Sequence, residues 1–189
     1  MILKTLFSRN RVTAPERTVY EAIVAQARQP ALYSDFGVPD TLDGRFDMII
    51  LHADAVMCHM QRGNGEDKAF AQDMIDELFR DMDRSLREMG VGDMGVGKRI
   101  KKMATVYYGR ANAYSAARDE GGDAMAGALI RNVYAGDGAM SQQAGEVAHY
   151  AAKVHEVVGG MDRSGIRSGR LDLSALAPAN HIGKCEEND

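Results

Sequence analysis

Tryptophan is absent from this 189-residue sequence, and there are only two cysteines, Cys58 and Cys185. One lies in a stretch patterned as helix and the other near the C-terminal end, so there is no disulfide framework and the composition suits a reducing compartment. No apolar run approaches the roughly 20 residues that a membrane span requires. Lys4 interrupts the short apolar N-terminus, which argues against a secretory signal. No stretch alternates like a strand of useful length, so a sheet is not expected. Net charge is −4, which excludes a polyanion binder built on overall charge and makes nucleic acid an unsuitable partner. No G-x-S-x-G elbow occurs, and beside Cys58 only His59 could activate the thiol, so no constellation for catalysis presents itself.

What remains has ordinary globular composition, 45% hydrophobic and 26% charged, and enough length for one domain with a real core. Helical periodicity dominates. Pro15 suits the first turn of a helix carrying Val19, Ile23 and Ala27 to about Gln29, where Pro30 ends it. An irregular link from Ala31 to Leu42 then holds Tyr33, Phe36 and the Gly37–Asp40 turn. Asp43 is the expected N-cap of a second helix whose stripe is Phe46, Ile49, Ile50, Ala53, Met57 and Met60, closed by Gly63–Gly65.

A third helix from near Glu66 places Phe70, Met74, Leu78, Met82, Leu86 and Met89 on one face. A fourth carries Val96, Ile100, Met103, Tyr107, Ala111 and Tyr114 to about Asp119. Two further helices are expected over Asp123–Tyr134 and Ser141–Val158, the last with Val147, Ala151, Val154 and Val158 inside. The fold class is therefore all-α: a single domain of about six helices in an irregular bundle. The expected organisation is a basic amphipathic segment over 1–14, a helical domain over 15–160 and a mobile tail over 161–189, with a short helical or docked apolar piece around Leu171–Leu176. The first segment, with Ile2, Leu3, Leu6 and Phe7 among Lys4, Arg9 and Arg11, suits weak contact with an anionic membrane.

The stretch from Asp81 to Met103 reads as a helix end, a glycine-rich corner and a charged helix start. Gly90 stands where a helix C-terminus favours positive φ, and Asp93 is placed to cap the next helix. Lys98, Arg99, Lys101 and Lys102 then crowd the new helix, where the dipole offers them no help. A docking face for an acidic or amphipathic partner would explain them. By contrast, Asp76 with Arg80 and Arg84 with Glu88 are spaced as ordinary surface ion pairs.

Other motifs fail on physical grounds. Gly90–Gly95 fits G-x-G-x-x-G and Gly92–Lys98 begins a P-loop, but both need a strand entering the loop, and Arg99 replaces the Mg²⁺-binding Ser or Thr. Asp81-x-Asp83 lacks the glycine and glutamate of a calcium loop. No histidine pair has the i, i+3 or i, i+4 spacing that would set two ligands on one metal, so no metal site is expected. Ligands from two helices leave a haem- or quinone-handling protein using His52 or His59 as the alternative reading.

The runs Phe36–Thr41 and Asp43–Asp47 with Leu51-His52, and above all Met82–Asp93, resemble the ubiquinol–cytochrome c chaperone family. Lys101–Met103 and Tyr108–Arg110 extend the resemblance, which spans roughly Pro15 to Val158. It implies an all-α, non-catalytic assembly factor for complex III, without cofactor, whose client is newly made cytochrome b. It further implies a small helper protein as partner and peripheral contact with the inner membrane. A bacterial, cytoplasmic location is expected. Carried over by motif, the client-facing residues are Asp83, Arg84, Arg87, Glu88, Asp93, Lys98, Lys101 and Arg110. The expected mechanism is an apolar groove rimmed by the corner's charges.

Overall fold

The computed structural model describes residues 14–176. The basic segment expected over 1–14 and the end of the chain after 176, Cys185 included, lie outside the described residues, apart from Ala14. Eight helices occur among those described: α1 (Pro15–Ala27), α2 (Pro30–Ser34), α3 (Leu42–Gln61), α4 (Gly65–Glu88), α5 (Asp93–Glu120), α6 (Ala124–Asn132), α7 (Ser141–Gly159) and α8 (Arg163–Arg167). There is no strand among them, and the six longer helices match the all-α expectation.

The centre of the molecule is α3, which packs against α1, α4, α5 and α7. Enclosure by four neighbours explains its burial pattern: Met48, Leu51, Ala55 and Val56 are buried beyond the single stripe that periodicity suggested. Asp47, His52, Asp54 and His59 go inside with them, so each must find a polar partner. The helix begins two residues earlier than expected, because Thr41 rather than Asp43 is its N-cap, the threonine hydroxyl accepting from the Gly44 amide. Gly44 itself is required by close approach, since a Cβ there would overlap the carbonyl of Pro39. That contact pins the Phe36–Asp40 turn onto the helix start.

Pro30, expected only to end α1, instead occupies the first turn of the short helix α2 inside what was read as an irregular link. Asn64 and Asp67 form a reciprocal capping box at the start of α4. The buried faces of α4, α5 and α7 follow the sequence stripes, except that Met89 at the end of α4 is 57% exposed. The core has separated from the helix there.

Beyond α7 the chain stays on the body. Ile166, Leu173 and Leu176 are buried in the main core, and α8 packs on α1 and α4. The expectation of a mobile tail therefore does not describe 161–170, while Leu173 and Leu176 dock where an apolar piece was expected. Polar anchors hold this strap: Arg167 pairs with buried Asp67, and Arg163 donates to the His59 carbonyl at 2.9 Å. Sequence periodicity misses it because α8 is too short to show a stripe.

Candidate interaction surface

The corner is a helix–turn–helix, as read from the sequence. Gly90 has φ +81° and closes α4, and the Val91 amide donates back to the Leu86 carbonyl at 3.0 Å. Gly92, not Asp93, is the N-cap of α5, and Asp93 occupies its first helical position. Gly95, Val96, Gly97 and Lys98 are already helical, so no strand-fed phosphate loop exists here. Leu86 and Val96 are buried but stand outside the main core cluster.

Charged residues of the motif separate into three environments. Arg87 ties the two helices together: its Nε donates to Asp83 at 2.6 Å and its other arm pairs with Asp93. These carboxylates hold the Arg87 pKa above its ordinary value. All three side chains are well exposed, so this network adds little to stability. Arg84 and Glu88 instead line a polar groove of about 400 Å³ between α1 and α4, where Arg84 pairs with Asp81 and Tyr20 donates to the same carboxylate at 2.9 Å. Lys98 and Lys101 are exposed on α5, as are Arg99 and Lys102 beside them.

Arg110 lies apart. It clamps the buried carboxylate of Asp47 with both arms and donates to the Asn132 carbonyl at 2.8 Å, joining α3, α5 and the end of α6. Burial raises the Asp47 pKa, and Arg110 partly offsets this. Arg118 plays a similar part nearby, pairing with Asp54 and donating to Cys58 Sγ at 3.1 Å.

An apolar cleft of about 360 Å³ opens between the end of α5, the start of α6 and α7, walled by residues such as Ala117, Gly121, Ala126, Ala148 and Ala152. From Lys98 to Arg118 the helix rises about 30 Å, so the corner's charges do not rim this cleft.

The two histidines of the alternative reading are used internally. His52 has no exposed surface; Nδ1 donates to the Met48 carbonyl, which leaves Nε2 to accept from the Tyr150 hydroxyl, each at 2.7 Å. Gln26 in turn donates to Tyr150 at 2.9 Å. His59 Nε2 donates to the Met161 carbonyl at 2.9 Å. This arrangement offers the haem- or quinone-handling alternative no ligand pair.

Sequence reasoning missed Met94, which is 94% exposed, and half-exposed Tyr108. A signal was present: no Asp or Glu occurs between Met94 and Arg118.

The sequence model for "Ubiquinol-cytochrome C chaperone" matches residues 34–174. The chain belongs to the ubiquinol–cytochrome c chaperone family. It is a non-enzymatic assembly factor with a chaperone role for complex III. The match begins later than the Pro15 of the sequence resemblance and continues past Val158 through α8, so the strap is part of the family's domain. The crystal structure of the Cbp3 homolog from Brucella abortus is similar at 38% identity and TM-score 0.73, over 84% of this chain and 87% of that one. No curated protein matches the chain at a significant level. Among the described residues of this chaperone no helix is long and apolar enough to cross a membrane.

Proposed function

We propose that this chaperone captures newly made cytochrome b through the α4–α5 corner, holding it before haem and partner subunits are in place. The observation that carries the reading is that Leu86 and Val96 lie outside the main core cluster while Met89 is exposed at 57% and Met94 at 94%, beside cations that have no ion-pair partner among the described residues. Exposed methionines adapt to varied apolar partners, and the surrounding charges supply selectivity and speed of encounter. Asp83, Arg84, Arg87, Glu88, Asp93, Lys98 and Lys101 form the polar part of this surface. Arg110 supports it from inside by fixing α5 to α3. The apolar cleft at the far end of α5 is not needed for this first contact.

The test is capture from a detergent-solubilised membrane extract, read by mass spectrometry. The double charge reversal Lys98→Glu/Lys101→Glu is expected to lose cytochrome b while retaining the wild-type melting temperature. Equal recovery of cytochrome b by both proteins would count against the reading.

A further inference from the structure

The apolar cleft at the far end of α5 takes no part in the proposed capture. Ala117 and Gly121 from α5, Ala126 from α6, and Gly145, Ala148 and Ala152 from α7 leave about 360 Å³ open where three helices meet. That volume lies at the lower end of the range of about 300–1,000 Å³ for ligand sites, so it takes a few large apolar side chains and no folded domain. Negative charge gathers at one corner of it. Asp119, Glu120 and Asp123 are exposed around the α5–α6 turn, and none has an ion-pair partner among the described residues. The C-terminus of α5 adds its partial negative charge at Gly121. Arg118 does not cancel this rim, because it pairs with buried Asp54, and His155 Nε2 is 3.2 Å from the same carboxylate. His149 is the remaining basic group of the lining. A fitting occupant is therefore slender, apolar on one side and positively charged.

One stretch of this chain has that character. In residues 1–13, Ile2 with Leu6 and Leu3 with Phe7 recur at i, i+4, the spacing of one helical face, while Lys4, Arg9 and Arg11 are the only charged side chains. We infer that the N-terminal segment docks in the cleft of its own chain, its apolar side chains among α5, α6 and α7 and its cations against Asp119, Glu120 and Asp123. Residues 177–189 do not match: Ile182 is their one large aliphatic side chain, and Glu186, Glu187 and Asp189 outnumber Lys184 beside an acidic rim.

The geometry leaves the segment within reach. A Cβ at Gly169, just after α8, would touch Pro15, and Arg163 at the start of α8 donates to the carbonyl of His59, close to Asp54 and Cys58 on α3. The start of α1 and the Arg118–His155 end of the cleft therefore share one end of the bundle. Both α1 and α7 pack on α3, so their axes stand about 20 Å apart at most. Residues 8–14 span up to about 24 Å when extended, which closes the gap. So short a tether holds the segment at a millimolar effective concentration, and a weak match keeps the cleft filled. No residue of the corner takes part, so this contact is independent of the cytochrome b reading.

The lack of tryptophan supplies the readout. Phe7→Trp in the purified full chain introduces a single indole, which docking places against apolar walls. Its emission is expected to be blue-shifted, and better shielded from acrylamide, than that of a synthetic peptide of residues 1–13 carrying the same substitution. Ala152→Lys, at an exposed position of α7 that lines the cleft, should abolish the shift by filling the cleft and repelling the cations. Glu120→Lys/Asp123→Lys should abolish it by reversing the rim. Circular dichroism spectra of both variants serve as the folding control.

Peptide-like emission from the full chain would overturn the proposal, as would a blue shift that neither cleft variant moves. A shift that appears only as protein concentration rises, with a dimer in light scattering, would seat the segment on a second copy and overturn it. So would a shift that arises only when lipid vesicles are added. A cleft-dependent shift from Ile182→Trp, with none from Phe7→Trp, would give the cleft to the other end of the chain and overturn it too.

Discussion

Arg110 and Lys98 belong to one motif and one helix, yet they stand in opposite physical situations. Lys98 is exposed, whereas Arg110 neutralises an Asp47 carboxylate that is 3% exposed. Removing one partner of a buried pair leaves an uncompensated charge. Arg110→Ala is therefore expected to lower unfolding stability by about 3 kcal/mol or more in urea titration. Lys98→Ala should stay within about 0.5 kcal/mol of the parent. If both behave alike, the assignment of Arg110 to support and Lys98 to docking is wrong. The motif marked both residues without separating these roles. Helical period does place them on different faces of α5, but only the position of Asp47 on a central helix makes the distinction energetic.

Among the elements, α4 and α7 were legible in detail because each packs one face against the body, so their apolar stripes repeat at the helical period. The central helix α3 was legible as a helix but not as an enclosed one. Polar residues such as His52 and Asp54 look like a solvent face until neighbours on every side are known. The strap was the least legible. Its binding to the body depends on Ile166, which is fully buried, and on Arg167 reaching Asp67 about a hundred positions earlier in the chain. Ile166→Ala should cost about 2–4 kcal/mol in the same urea measurement, the range for emptying a core site. A cost near zero would return residues 161–176 to the status of a tail.

At the scale of the whole molecule, enclosure of His52 sets a pH response. Burial pushes its pKa down to about 4, and burial lowers that of His59 as well. Above the unfolded value near 6.5 both states are neutral and the full stability is present. As pH falls towards 4, the unfolded chain binds a proton that the folded chain resists, so stability declines. For His52 alone the loss approaches about 3 kcal/mol by pH 4, and His59 adds in the same direction. Urea midpoints measured from pH 7.5 down to pH 4.5 should stay level at first and begin to drop near 6.5. A level profile down to pH 5 would mean that the histidines are not sealed as the structure has them.

The sequence by itself determined the six longer helices, the glycine corner and the family, because period, turn residues and local motifs act over a few neighbouring positions. Only the tertiary structure decided which charges are held inside, which face outward, and that the apolar cleft lies far from the corner. Those outcomes depend on contacts between residues distant along the chain, and no local pattern encodes them.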